Sequence, residues 1–166
     1  MMPINLSKTS RENSGGGASV QPVPSPQTPP QPVTDPIRAL RDRIAARVFD
    51  SYCDSALRSE LIRQGTADLG LDPAKAALLT DMTLEGLLCA NEQKLCDELT
   101  GVLRQFTDRD KKLDPKERSD AIQMLCKPKP GYAKGLALHV ADALVVDFCR
   151  AHGVRVKVGL LRWAIP

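Results

Sequence analysis

The chain has 166 residues, of which 42% are hydrophobic but only 4% aromatic, and its formal net charge is +3. So small a surplus does not by itself imply nucleic acid, and the length suits one domain whose core is filled by Leu, Ile, Val and Ala. The charge is unevenly placed: residues 127–166 hold seven basic against two acidic side chains, whereas residues 34–107 hold nine against twelve. Five cysteines (Cys53, Cys89, Cys96, Cys126 and Cys149) form an odd set without repeated spacing, each beside apolar residues. They read as free thiols of a reducing compartment rather than a disulfide framework. The start of the sequence has no apolar run of the Sec-signal type, so a cytoplasmic location is expected.

Residues 1–33 are rich in Ser, Thr, Gln, Pro and Gly, with Gly15, Gly16 and Gly17 ahead of the run QPVPSPQTPPQPV. Such a composition buries too little apolar area to offset its ordering entropy, so these residues are expected to form a disordered tail. Pro26-Gln27-Thr28-Pro29 fits a PxxP ligand, a match that proline-rich segments produce by chance. Residues 34–166 are expected to form the folded domain.

Three Asp-Pro pairs, Asp35-Pro36, Asp72-Pro73 and Asp114-Pro115, punctuate that domain. Aspartate is a strong N-cap and proline is favoured at the first helical position, so each pair predicts a helix start. After the first, Ile37, Leu40, Ile44, Val48 and Phe49 recur at helical spacing, and the pattern runs through Leu61 and Ile62 to Gly65 with a break near Asp54. The run AKAALLTDMTLEGLLCA favours helix, and Asn91 either ends it or caps the next. Leu95, Leu99, Val102, Leu103 and Phe106 then form an apolar stripe. Glu117, three residues after Asp114, completes a capping-box pattern, with Ala121, Ile122, Met124 and Leu125 as the buried side. Pro128 and Pro130 end that helix.

The stretch from Gly131 to Gly153 is apolar nearly all round, which places it inside a core. It is too short and too interrupted to span a bilayer. Gly153 suits a left-handed C-cap after Arg150 and His152. The tail VRVKVGLLRWAIP then alternates, which predicts a β-hairpin turning at Gly159-Leu160, or one strand bulged at Gly159. In this register Val154, Val156, Val158, Leu161, Trp163 and Ile165 share the packed face, and Arg155, Lys157 and Arg162 the outer one. Trp163 is expected to hold the ribbon on the helices. No earlier stretch reads as a strand, so an open edge is expected. The fold class is therefore mainly α: about five helices around an apolar central helix, with a C-terminal β-hairpin or bulged strand.

Chemistry-bearing patterns are sparse. The loop FTDRDKKLDPKE resembles the second half of an EF-hand, with Asp108, Asp110, Asp114 and Glu117 as the oxygen ligands that calcium or magnesium would need. Phe106 stands where the first acid belongs and Lys111 where the turn glycine belongs. A polar loop before a capped helix accounts equally for Asp114 and Glu117. Cys149 and His152 share a helical face, but a zinc site needs four ligands and no second pair exists. The sequence has no GxxxxGK[ST], HExxH or GxSxG pattern and no identifiable Cys/His nucleophile, so it is read as a non-enzyme with no cofactor.

The basic residues Lys127, Lys129, Lys134, Arg155, Lys157 and Arg162 are the candidate partner-binding set, for an acidic protein rather than a small molecule. Nucleic acid is the weaker alternative, because no aromatic stacking platform accompanies them. In composition, the acid-poor Ser/Thr/Pro/Gln-rich start before a compact domain resembles proteins handled by type III secretion. That resemblance covers residues 1–33 alone and implies a bacterial substrate, adaptor or chaperone, with export by a signal-peptide-independent system as the substrate's expected route. The expected function is thus a protein-protein interaction protein. The alternatives are a divalent-cation-responsive protein and a nucleic-acid-associated regulator using the basic ribbon.

Overall fold

All three Asp-Pro pairs start helices in the computed structural model, which describes residues 35–158 and 162–166. The tail, its PxxP match and the Gly159-Leu160 turn lie outside the described residues. Asp35 accepts the Ile37 N–H at 3.0 Å and opens α1 (Pro36–Ala45). Asp54 accepts the Leu57 N–H at 2.7 Å and opens α2 (Ser55–Ala67). Asp72 accepts from Ala74 and Lys75 at the start of α3 (Pro73–Gly86), and Asn91 accepts from Lys94 at the start of α4 (Glu92–Thr107). Asp114 and Glu117 form a complete capping box on α5 (Pro115–Cys126). The last helix, α6 (Leu138–His152), ends at Gly153, whose φ of 64° is the expected left-handed cap.

Short strands join these helices. Strand β1 (Tyr52–Cys53) pairs in parallel with β2 (Ala90–Asn91). Strand β3 (Lys112–Leu113) pairs in parallel with β4 (Arg155–Val158), and β4 pairs antiparallel with β5 (Arg162–Ala164). The architecture is mainly helical with small strands, and the helices and the C-terminal ribbon are what the periodicity predicts.

Two apolar clusters form the interior. Leu40, Ile44, Leu61, Ala76 and Leu84 gather α1, α2 and α3. Leu99, Leu103, Ala121, Leu125 and Val145 gather α4, α5 and α6, so α6 is central to the second cluster while the first three helices have their own. Three features depart from the predicted pattern. Helix α1 stops at Ala45, leaving Phe49 86% exposed, and Met124 on α5 is 59% exposed. Helix α6 begins at Leu138 instead of near Gly131, because residues 131–137 pack back on α5. There Leu136 N–H donates to the Leu125 carbonyl at 2.8 Å, and Gly135 lies so close to the Cys126 carbonyl that a Cβ has no room.

The two clusters belong to two copies of one motif. Helix, loop, strand, helix, helix and strand run from α1 to β2 and again from α4 to β4. Asp50, Asp54, Arg58, Ser59 and Ile62 recur at constant spacing as Asp110, Asp114, Arg118, Ser119 and Ile122. The geometry repeats more closely than the sequence. Ser51 and Lys111 both take positive φ, 57° and 53°, a conformation uncommon for residues with a Cβ. Asp50 accepts from Tyr52 N–H at 3.2 Å, and Asp110 from Lys112 N–H at 3.1 Å. Ala90 N–H donates to the Ser51 carbonyl at 2.9 Å, and Arg155 N–H to the Lys111 carbonyl at 3.0 Å. Leu88 and Gly153 both turn the chain through αL before β2 and β4, with φ of 52° and 64°.

Candidate interaction surface

Strand β4 lies between β3 and β5, so an earlier segment does pair with the C-terminal ribbon, contrary to expectation. Lys112 and Leu113 supply it as the second copy of the motif. Two residues carry no readable period, which is why the pattern hides them. The ribbon register is also displaced by one from the expected pairing: Val156 stands opposite Ala164, Lys157 opposite Trp163, and Val158 opposite Arg162. A one-residue slip moves every side chain of one strand to the other face. Trp163 therefore shares its face with Arg155 and Lys157, and Arg162 does not. The indole is half-buried, with the Lys112 ammonium 5.6 Å from a ring centroid, and it does not belong to either core cluster. The expectation that Trp163 anchors the ribbon to the helices is thereby corrected. Val154 and Val156 do that work, the first fully buried and the second packed against the second cluster.

Arg155, Lys157 and Arg162 are all exposed, and none lies within ion-pair distance of a carboxylate among the described residues. The other three members of the basic set sit elsewhere. Lys129 is paired with Glu98 at 2.6 Å, and Lys134 with Asp50 at 2.7 Å. Lys127, Lys129 and Lys134 line a small cavity with Tyr132, away from the ribbon. Lys134 joins the second half of the chain to the first, and its bond holds the Asp50 carboxyl below the usual carboxylate range. The single basic patch read from the sequence is therefore divided, and two of its lysines are structural partners.

The proposed cation ligands are not brought together. Asp114 and Glu117 are committed to the capping box, Asp110 accepts the Lys112 N–H, and Asp108 is the exposed C-cap residue of α4. Lys111 and Lys112 follow directly, with the Lys112 ammonium 3.8 Å from Asp110. Among the described residues no three His, Cys, Asp or Glu side chains form a group able to hold a metal. The pair Cys149 and His152 separates likewise: the thiol is buried, while the imidazole is exposed and rests on Phe148 with ring centroids 4.5 Å apart. Burial pushes the Cys53 thiol up to about 12 and the Cys89 thiol up to about 11, which keeps both protonated near neutral pH.

Two features escaped the sequence reading. Glu92, at the start of α4, accepts from the Tyr52 hydroxyl at 2.8 Å, the Ser55 hydroxyl at 2.8 Å and the Ser55 N–H at 3.1 Å. One carboxylate from the second half thus completes the N-terminus of α2 in the first. Arg58 makes a two-pronged bond to Asp81, at 2.8 and 2.7 Å, and Asn91 donates to the same carboxylate. Burial opposes ionisation of Asp81, but Arg58 and Asn91 outweigh it and hold the carboxyl below its ordinary value. No helix among the described residues is long and apolar enough to cross a membrane. Comparison with protein-family models, with curated proteins and with solved structures finds no match to this chain.

Proposed function

We propose that this chain is a non-enzymatic interaction protein that captures an acidic protein partner with its C-terminal sheet. The observation carrying this reading is the contrast among its cations. Lys129 and Lys134 are neutralised by carboxylates of the chain itself, whereas Arg155, Lys157 and Arg162 stand exposed with no such partner among the described residues. Arg155 and Lys157 share one face of β4, and unpaired surface cations so placed attract acidic surfaces and accelerate encounter. The test is to isolate partners from the native cell with the full chain and with the Arg155→Glu/Lys157→Glu variant. Loss of the same identified partner from the variant, with unchanged helical circular dichroism, supports the reading; full retention removes it.

Trp163 favours a second reading. It stands on the face of Arg155 and Lys157, an arrangement that binds single-stranded nucleic acid by stacking and phosphate contact. Titration with an oligonucleotide while following Trp163 fluorescence separates the two, since an acidic protein partner requires no quenching by nucleic acid. The finer assignment to a type III secretion substrate, adaptor or chaperone rests on the composition of residues 1–33. A reporter fused to those residues tests it in secretion-competent and secretion-defective hosts.

A further inference from the structure

Strand β5 pairs with β4 on one side, and among the described residues no strand pairs with its other side. The hydrogen bonding of the sheet shows which residue of that edge faces outward. The Arg155 N–H donates to the Lys111 carbonyl at 3.0 Å, so Arg155 and Lys157 turn their backbone groups toward β3. Backbone groups of successive strand residues point to alternate edges, so Val156 and Val158 turn theirs toward β5. Ala164 and Arg162 stand opposite those two, and Trp163, opposite Lys157, points its N–H and C=O out of the sheet. The side chains sort by the same alternation. Val156 packs against the second cluster, and Ala164 shares its face. Lys112, Arg155, Lys157 and Trp163 share the other face, with the Lys112 ammonium 5.6 Å from the ring. Among the described residues Asp110 alone brings a carboxylate within ion-pair distance of these cations, 3.8 Å from Lys112. Just past the strand, Arg150 donates to the Pro166 carbonyl at 2.9 Å and ties the end of the ribbon to α6.

We propose that the β5 edge takes up an extended, acidic segment of a partner protein as a fourth strand, centred on Trp163. Two observations specify the occupant. The outward N–H and C=O of Trp163 are complemented by the backbone of a strand, whereas a helix has already spent its own groups internally. Charge then selects the side chains. A residue paired with Trp163 projects onto the face of Arg155 and Lys157, where a carboxylate is attracted and an ammonium repelled. A second copy is disfavoured as occupant, because edge-to-edge pairing sets the cations of two such faces side by side. The backbone bonds fix register and direction, and the three cations supply the preference for acid. The inference rests on the reading that the C-terminal sheet binds an acidic protein. It adds the conformation of the bound segment and the residue with which it pairs.

The probe is an acetylated octapeptide in which glutamate alternates with valine, titrated into the ¹⁵N-labelled full chain. The controls are the same peptide with lysine for glutamate, and one with proline for the two central valines. At saturating glutamate peptide, hydrogen exchange of the Trp163 amide is expected to slow by at least about tenfold, and both controls are expected to leave it unchanged. A second measurement uses a chain with an N-methyl group on Trp163, made by joining a synthetic segment 149–166 at Cys149. This removes the outward donor and keeps every charge, so unfolding should match the unmodified chain while the peptide binds about tenfold more weakly. Absence of protection at millimolar peptide, equal protection by the proline control, or indifference to the N-methyl group would overturn the proposal. So would protection of Trp163 that rises with chain concentration alone, which would put a second copy on the edge. If an identified acidic partner is lost with Arg155→Glu/Lys157→Glu but kept by the N-methylated chain, the edge fails while the broader reading stands. Retention by both ends both.

Discussion

Replacing Glu92 by alanine tests how the two halves are joined. The carboxylate accepts three hydrogen bonds from Tyr52 and Ser55, and its side chain is partly buried. Hydrogen bonds to a charged group contribute about 1.5–3 kcal/mol each in isolation, but three that share one carboxylate are not additive. Alanine also strands the first N–H of α2, a capping loss of about 1 kcal/mol. The total expected is about 3 kcal/mol, or a fall of about 10 °C in thermal midpoint for a domain of this size. Glu92→Gln keeps one acceptor and should cost about 1 kcal/mol. Thermal unfolding followed by circular dichroism measures both. A cycle pairing Glu92→Ala with Tyr52→Phe should show about 1 kcal/mol of coupling, because removing either partner already breaks their bond. Additive effects, or a total loss below about 0.5 kcal/mol, would refute the claim that this carboxylate ties the halves together.

Other perturbations have equally definite outcomes. Gly135→Ala forces a Cβ into the Cys126 and Leu125 carbonyls and should lower stability by about 2–3 kcal/mol, whereas Gly101→Ala, with open space around it inside α4, should raise it by about 0.5–1 kcal/mol. Equal effects in urea unfolding would contradict the packing of residues 131–137 on α5. Trp163→Ala should cost about 1 kcal/mol instead of the 3–5 of a fully buried ring, since the indole lies on the outer face beside Lys112. Stability should be flat between neutrality and about pH 4 and fall below it. The carboxyl of Asp81 is lowered in the folded state, so the unfolded chain takes up its proton first and the contribution present above 3.8 is lost as pH falls through the folded value. Asp81→Asn should remove part of that acid slope; an unchanged slope would show that the Arg58 bond contributes nothing to it.

Helix starts were the most legible part of the fold, because capping is local chemistry. Asp35, Asp72 and Asp114 each meet the N–H groups that an aspartate before a proline is placed to meet, and Gly153 takes the left-handed turn that ends α6. The long stripe Leu95, Leu99 and Leu103 was legible for the same reason that it is buried. Strands β1, β2 and β3 were not, since two residues cannot display alternation, and their pairing depends on the turns at Ser51 and Lys111. The repeated motif was hidden because few side chains recur, whereas what is repeated is mostly backbone geometry. The basic site was half legible: composition located Arg155, Lys157 and Arg162. Their division from Lys129 and Lys134 follows from partners distant in sequence, Glu98 and Asp50. The ribbon register depends on the segment between Val158 and Arg162, and alternation alone fits two registers that differ by one residue.

The most direct test of the central claim is the affinity of the identified partner for the full chain and for Arg155→Glu/Lys157→Glu, measured by calorimetry at low and physiological salt. The account predicts a loss of at least about tenfold for the variant at low salt, a smaller gap as salt rises, and unfolding curves that superpose. Equal affinities at both salt concentrations would contradict it.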